Sequence, residues 1–372
     1  MASLHRANLS IETDFQAIGT LLLAESGLGV ETSRRFQDAI EHVSKLNREQ
    51  LQHLFEQAET QRVLRRTLAR LDENLDTLGQ ASARELVKTR FTEEDLRVEK
   101  ALYYLQQIVL RLERSGIPVM IMKTLDHWPD TGSDLDLLVL AKDSEVCEIL
   151  DGDFHASRQP QSWGDRLAHK FNFKIPDLKE LVEVHVSCLG QTGEHSALAS
   201  DALSRRQYRQ FGAFSLPVPS YEDQIVIAAL QRMYRHYYIR LTDIVNIDLL
   251  VADDAVDFEK IQAIAEAASI WPGVATLITV ACQYAVSCGA EPVDLPVNVN
   301  TAARFNSSRT YLDRQFLRVP LVPEATNLFL RQLAGNGRSH NFAAIARLSL
   351  LPVLATAAYL SFRFTGDDKG VW

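Results

Sequence analysis

The chain has 372 residues, of which 46% are hydrophobic, enough apolar material for a large folded core. That composition excludes a chain that is disordered throughout. Its 39 lysine and arginine residues are outnumbered by 48 aspartate and glutamate residues, so the formal charge is −9. Because neutralising phosphates requires a basic excess, a nucleic acid is not favoured as a partner.

Cysteine spacing and the apolar segments bear on cellular location. Four cysteines, at positions 147, 188, 282 and 288, contain no C-x-x-C pair, which argues against a zinc ribbon or a disulfide framework. The N-terminus lacks the pattern of a signal peptide. The apolar stretch 348–360 contains Pro352 and is shorter than the roughly 20 residues of a membrane span. We therefore expect a cytoplasmic protein without a membrane span, and a buried helix over 348–360.

The first part of the chain has the period of helices. Apolar residues recur at intervals of three and four up to about residue 92, as at Phe36 and Ile40. Thr92, followed three residues later by Asp95, predicts the N-terminal cap of a long helix that ends before residue 117. These helices contain no motif that points to a chemical activity.

The central part of the chain has the period of strands. Four strands are predicted from short apolar or alternating runs, at residues 119–122, 134–140, 169–175 and 181–186. A helix over 144–150 separates the second strand from the third. Later helices are predicted over residues 221–250, 258–268 and 274–285. We therefore expect a small α/β or α+β unit at 93–200 between helical regions at 1–92 and 201–372.

Two acidic residues mark the second predicted strand. Asp134 and Asp136 are two residues apart, so the alternation of a strand places both on one face, while Leu135 and Leu137 take the other. Repulsion between adjacent carboxylates is relieved by protonation, by a basic partner or by a divalent cation, and oxygen ligands favour Mg²⁺ or Mn²⁺. The alternative is a solvated strand face that carries two acids and no metal.

Neighbouring residues strengthen the metal interpretation. Gly132 and Ser133 precede the acidic pair in a turn, where glycine permits close approach of a ligand and serine can face a phosphate. Lys123 ends the preceding strand and offers a cation. Glu183 supplies a third carboxylate from a later strand, with His185 on the same face. Two roles are predicted for His185. It either contacts phosphate or metal or assists an acid–base step, or else it is a hydrogen-bonded structural residue.

A polar stripe marks the predicted helix over 221–250. Its members recur at intervals of four, four and three, and are Arg232, His236, Arg240 and Asp243. On one helix these residues would share a face. That face is either solvated or lines the cleft against the metal site, where the arginines would neutralise a triphosphate or an anionic acceptor.

Other aromatic and basic residues have mainly structural interpretations. Trp128, in the loop before the acidic pair, is predicted either to stack on a base or to fill the core beneath that loop. The basic clusters at residues 62–70 and 205–209 are predicted to lie on the surface.

Several segments together resemble a known family. The runs GIPVMIMK at 116–123, TGSDLDLLV at 131–139 and VEVHV at 182–186 resemble the uncharacterised nucleotidyltransferase family of the DNA polymerase β-like superfamily. The resemblance covers about residues 95–250. It implies an α+β fold, with a small mixed-sheet polymerase β-like core flanked by N- and C-terminal helical regions. It also implies transfer of a nucleoside monophosphate from a nucleoside triphosphate (NTP), with ATP as the expected donor, to an unknown small-molecule, peptide or protein acceptor, releasing pyrophosphate.

The resemblance also implies residue roles. Asp134, Asp136 and Glu183 would be catalytic and would bind two Mg²⁺ or Mn²⁺ ions, which stabilise the attacking and leaving oxygens of an in-line displacement. The residues expected to bind the nucleotide are Lys123, Thr124, Gly132, Ser133, His185, Arg232, His236 and Arg240.

The chain departs from the family pattern at the end of the first predicted strand. Superfamily members have Gly-Ser there and this family has Lys-Gly, whereas this chain has Lys123 and Thr124. The loop 125–130 also lacks the arginine expected before the acidic pair. A catalytically degenerate nucleotide-binding or interaction protein is therefore one alternative. A glycosyltransferase with a D-x-D motif is another, and it predicts a larger α/β domain before the motif.

Overall fold

The computed structural model describes residues 2–24, 30–74, 76, 81–252, 256–313, 315–354 and 356–357. These residues form fifteen helices and ten strands. The helices are α1 (Ala2–Leu23), α2 (Val30–Ser44), α3 (Arg48–Thr60), α4 (Leu64–Glu73), α5 (Ala81–Arg114), α6 (Asp143–Phe154), α7 (Trp163–Leu167), α8 (Ser196–Ser204), α9 (Tyr221–Gln231), α10 (Leu241–Ala252), α11 (Phe258–Ala267), α12 (Trp271–Cys288), α13 (Val297–Ala302), α14 (Thr326–Arg338) and α15 (Phe342–Leu348). The strands are β1 (Val119–Ile121), β2 (Asp134–Val139), β3 (Ser157–Arg158), β4 (Lys170–Lys174), β5 (Leu181–Val186), β6 (Gln207–Phe211), β7 (Phe214–Val218), β8 (Tyr238–Ile239), β9 (Tyr311–Asp313) and β10 (Phe316–Arg318).

A five-stranded mixed sheet forms the centre of the fold. Its strand order is β1-β2-β5-β4-β3, with β2 parallel to β5 and the other pairs antiparallel. The predicted α+β class and the four central strands are confirmed. Two smaller sheets, the β6–β7 hairpin and the three strands β8-β10-β9, lie in the part predicted to be helical.

The two faces of the sheet pack against different cores. Leu135, Leu137 and Val182 belong to a core shared with α5 and α6. On the other face, Met120 and Leu138 join a larger core that includes residues of α1, α3 and α4 as well as α9 to α12. The N-terminal and C-terminal helices therefore pack together beside the sheet, and the predicted boundary at residues 92 and 93 lies inside α5.

The start of the long helix was predicted wrongly. α5 begins at Ala81, and Thr92 lies in its interior, where its Oγ1 donates to the carbonyl of Lys88 at 3.0 Å. A capping pattern of two residues is short enough to occur inside a helix, where threonine bonds back to the preceding turn.

The prediction of one helix over 221–250 was also wrong. α9 ends at Gln231, a π-helical turn covers Arg232–His236, and Tyr237 adopts a left-handed conformation with φ of 54°. β8 then separates this turn from α10. The turn is tied to α12 by Tyr234, whose hydroxyl donates to the carbonyl of Ile270 and accepts from the amide of Gly273, both at 3.1 Å.

The C-terminal apolar stretch lies partly outside the described residues. Within them, Leu348 is buried but Val353 is 68% exposed, so the expectation of a fully buried segment fails there. None of the helices in the described ranges has the length and apolar character needed to cross a membrane.

Candidate active site

A cleft of about 210 Å³ opens beside the start of β2, facing the segment between α9 and α10. It is lined by Arg62, Lys123, Thr124, His127, Gly132, Ser133, Asp134, Asp136, Lys170, Glu183, Gln231, Arg232, Arg235, His236, Tyr238 and Arg240. The cleft thus brings together all the predicted site residues except His185. That histidine is 2% exposed, and its Nε2 lies 2.7 Å from Glu183 Oε1.

Three carboxylates come from two parallel strands. Asp136 on β2 lies directly opposite Glu183 on β5, and Asp134 is two residues before Asp136 on the same face. Burial raises the pKa of Asp134, and the neighbouring charges of Asp136 and Glu183 raise it further. This side of the cleft therefore has an excess of negative charge at Asp134 that a cation would relieve.

Two lysines neutralise the other two acids. Lys123 Nζ lies 2.5 Å from Asp136 Oδ1 and 3.4 Å from Glu183 Oε1, and Lys170 Nζ lies 2.8 Å from Glu183 Oε2. Burial alone would raise the pKa of Glu183, but Lys123, His185 and Lys170 hold it well below its usual range. Glu183 is therefore an ionised, fully paired carboxylate.

The residues around the acidic pair fix its backbone. The hydroxyl of Thr124 donates to the carbonyl of Asp134 at 3.0 Å and accepts from the amide of Asp136 at 2.8 Å. Ser133 Oγ donates to Asp134 Oδ2 at 3.1 Å. A Cβ added at Gly132 would lie 3.1 Å from the carbonyl of Asp134, which is tighter than ordinary contact. Thr124 is thus engaged by the backbone.

The opposite wall of the cleft is basic. Arg232 and Arg240 lie on either side of the break at Tyr237, so the single helical face predicted for them was wrong although both line the cleft. Arg232 Nε lies 2.7 Å from Asp243 Oδ2. Arg240 Nη2 donates to the hydroxyl of Tyr238 at 3.2 Å, and burial together with the charge of Arg232 lowers the pKa of Arg240 to about 10.

Several basic residues of the site were not predicted from the sequence, among them Lys170 and Arg235. The surface prediction for residues 62–70 was wrong for Arg62, which lines the cleft and donates from Nη2 to Ser133 Oγ, and for Arg66, whose Nε lies 2.7 Å from Asp130 Oδ2. The loop 125–130 lacks an arginine, whereas Arg62 enters the cleft from the turn after α3. The absence of an arginine from this loop was the one sign in the sequence that a basic residue from another segment lines the cleft.

The loop before the acidic pair has one half-buried histidine and one packed tryptophan. Burial, and the charges of Arg232 and Arg66, place the pKa of His127 well below its usual range, so this histidine is neutral. Trp128 does not line the cleft. Its ring packs edge-on against Phe211 with centroids 5.6 Å apart, which favours the core-filling alternative.

Comparisons with known proteins identify the family. Residues 47–284, more than half of the chain, match the family described as uncharacterised nucleotidyltransferase. The chain belongs to this family. The match confirms the resemblance seen in the sequence, and every residue that lines the cleft lies within the matched range of the nucleotidyltransferase family.

Other comparisons add less. No curated protein matches the chain. A similar solved structure is that of an antigenic nucleotidyltransferase-like protein from Paracoccidioides brasiliensis. The similarity covers 48% of this chain and 92% of that chain, with 13% sequence identity and a TM-score of 0.29. A score this low supports no conclusion about function. The glycosyltransferase alternative is not favoured, because the described residues before β1 form α1 to α5 rather than an α/β domain.

Proposed function

We propose that this nucleotidyltransferase transfers a nucleoside monophosphate from an NTP, with ATP as the expected donor, to an acceptor and releases pyrophosphate. One observation supports the proposal most directly: a single cleft has three carboxylates on one side and several guanidinium groups on the other. The carboxylates suit a nucleotide-bound cation, and the guanidinium groups suit a triphosphate.

The basic wall is the proposed triphosphate site. Among the described residues, Arg62, Arg235 and Arg240 form no ion pair with a carboxylate, unlike Arg232. Burial lowers the pKa of Arg62, and the nearby charges of Arg97 and Arg232 lower it further, while Asp134 opposes them. Cations that repel one another in a partly buried cleft are stabilised by an anionic ligand, so an NTP would relieve this repulsion.

Asp134 and Asp136 are the proposed ligands of Mg²⁺ or Mn²⁺. The excess negative charge at Asp134, seen in its raised pKa, and the oxygen donors of both residues fit such a cation. When bound, the metal ion would supply positive charge to the triphosphate and to the departing pyrophosphate. Glu183 is proposed to position its neighbours and not to accept the proton of the acceptor, because a carboxylate with a strongly lowered pKa is a weak proton acceptor.

The proposed reaction is an in-line displacement at the α-phosphorus. An acceptor oxygen forms a bond to that phosphorus while the bond to the bridging oxygen of the β-phosphate breaks, and pyrophosphate keeps the bonding electron pair. The acceptor loses its proton to solvent or to a carboxylate of the cleft. Lys123 and the arginines of the wall would stabilise charge on the phosphate oxygens. The acceptor is proposed to be a small molecule, peptide or protein, with the enzyme in the cytoplasm.

A label-transfer experiment tests this proposal. The purified chain is incubated with Mg²⁺, an extract of host cells and each of the four NTPs, labelled at either the α- or the γ-phosphorus. We expect the α-label to appear on an acceptor. The γ-label should appear in the released pyrophosphate and not on the acceptor. Asp134→Asn and Asp136→Asn should each lower the transfer by about 10²- to 10³-fold, the usual effect of losing a group that stabilises transition-state charge.

The matched control is Asp151→Asn, which makes the same change at an exposed position of α6 on the other side of the sheet. We expect this variant to keep full transfer. Full activity of both cleft variants would refute the assigned acids. Binding of an NTP without any transfer by the wild-type chain would instead identify a degenerate, nucleotide-binding protein.

A further inference from the structure

The ammonium group of Lys123 lies against three side-chain atoms that could each ligate a metal ion. Its Nζ lies 2.5 Å from Asp136 Oδ1, 3.4 Å from Glu183 Oε1 and 3.1 Å from His185 Nε2. Among the described residues, these same three partners form a group whose ligand atoms all lie within 4.8 Å of one another and could hold a metal ion. The ammonium of Lys123 therefore contacts the same three side chains that a metal ion bound by this group would contact.

The carboxylate of Glu183 has both of its oxygens engaged by cationic or polar groups. Oε1 lies near Lys123 and 2.7 Å from His185, and Oε2 lies 2.8 Å from Lys170, which itself is 3.1 Å from Asp165. A magnesium ion needs oxygen ligands at about 2.0–2.1 Å, closer than these contacts allow while the ammonium stays in place. A second cation would have to displace Lys123 from its buried ion pair.

Asp134 lies outside this network. Its Oδ2 accepts from Ser133 at 3.1 Å, and none of the described lysines or arginines forms an ion pair with it. The negative charges of Asp136 and Glu183 are balanced by two directly paired lysines, whereas that of Asp134 is offset by the charge of Arg62 without a direct ion pair. The charge distribution thus leaves room for one divalent cation rather than two.

The backbone also holds Lys123 in a particular way. Its φ is 61°, a left-handed conformation that is unfavourable for an L-residue and that glycine adopts freely. The amide of Lys123 donates to Asp126 Oδ2 at 3.1 Å, which stabilises this conformation. A lysine that keeps this unfavourable backbone conformation and directs its ammonium at two acids indicates that the side chain has a function.

We propose that the ammonium of Lys123 serves as a built-in cation at the Asp136–Glu183–His185 position, so that this protein binds one divalent cation, at Asp134 and Asp136, where the family resemblance implies two. The inference rests on the proposed function for its catalytic meaning. The ammonium would stabilise charge on the transferred phosphate without being lost to solvent when the product leaves.

Counting bound Mn²⁺ tests the inference directly. Free Mn²⁺ is measured by electron paramagnetic resonance during titration of the protein, first alone and then with the α,β-methylene analogue of ATP, which cannot be cleaved between the α- and β-phosphorus atoms. We expect one Mn²⁺ per chain for the wild type with the analogue. Lys123→Met, which is neutral and of similar length, should bind one additional Mn²⁺, also without nucleotide.

Two control variants separate the charge from other effects. Lys123→Arg keeps a cation at the position and should keep the wild-type count, and Lys100→Met removes an exposed lysine of α5 and should change nothing. Two Mn²⁺ in the wild type, or no additional ion in a folded Lys123→Met chain, would overturn the inference. If Lys123→Met does not fold, the wild-type count decides alone. Failure of the analogue to bind would count against the proposed function, while the titration without nucleotide still tests Lys123.

Discussion

Replacing Thr124 by valine removes one hydroxyl from beneath the acidic pair and keeps the shape of the side chain. That hydroxyl joins the end of β1 to β2, because it contacts both the carbonyl of Asp134 and the amide of Asp136. Thr124 is only 1% exposed, so water has little access to replace the lost bonds. The substitution leaves two backbone polar groups of the acidic pair without this partner.

The expected destabilisation follows from these contacts. A buried polar group that loses its partner costs about 1–3 kcal/mol, so the two backbone groups together cost about 2–6 kcal/mol. The single methyl group that valine carries in place of the hydroxyl recovers about 0.8 kcal/mol, so the net loss in the free energy of unfolding is about 3 kcal/mol. Unfolding entropy of about 2.1 cal/mol/K per residue gives about 0.8 kcal/mol/K for the 372 residues. Thr124→Val should therefore lower the Tm by about 4 °C.

Thr124→Ser is the matched control, because it keeps the hydroxyl and loses only a methyl group. Differential scanning calorimetry should rank the Tm values as wild type, serine variant and valine variant, from highest to lowest. NTP affinity should fall in the valine variant and stay close to wild type in the serine variant, since only valine releases the backbone of the acidic pair. A valine variant as stable as the serine variant would refute the bridging role of the hydroxyl.

Two further predictions concern charge. Arg62→Gln should weaken NTP binding about tenfold or more in isothermal titration calorimetry, because a charge-assisted hydrogen bond contributes about 1.5–3 kcal/mol. The control Arg70→Gln, on α4, should leave the Kd unchanged. Equal Kd values for the two variants would contradict the proposed phosphate site. Burial raises the pKa of Asp248 to about 6. The folded state therefore binds more protons than the unfolded state between about pH 4 and 6, and stability falls as pH rises through this range. Asp248→Asn should then raise the Tm at pH 7.5 and give no gain at pH 4, and a gain of equal size at both pH values would contradict the titration.

The strand-borne part of the site was predictable from the sequence. Alternation over 134–139 and 181–186 placed the acids on one face and Leu135, Leu137 and Val182 on the other, as the core packing of these three residues confirms. The spacing between Asp134 and Asp136 was enough for this conclusion, because the alternation of a strand is a local property of the backbone. The helices outside the central strands could be recognised from the period of their apolar residues, but the residues at which they begin and end could not.

Packing between distant segments decided the rest. The π-helical turn before the break at Tyr237 is bonded to the start of α12 through Tyr234, and a periodic pattern in 221–250 contains no information about that contact. Arg62 enters the cleft because the end of α3 lies beside the loop before Asp134, and Lys170 because β4 pairs with β5. The sequence by itself determined the acidic pair and the strands that carry it. Lys123 was also expected beside these acids, but only the tertiary structure decided that Arg62 and Lys170 face the same cleft, because side-chain neighbours far apart in the chain are set by packing and not by local period.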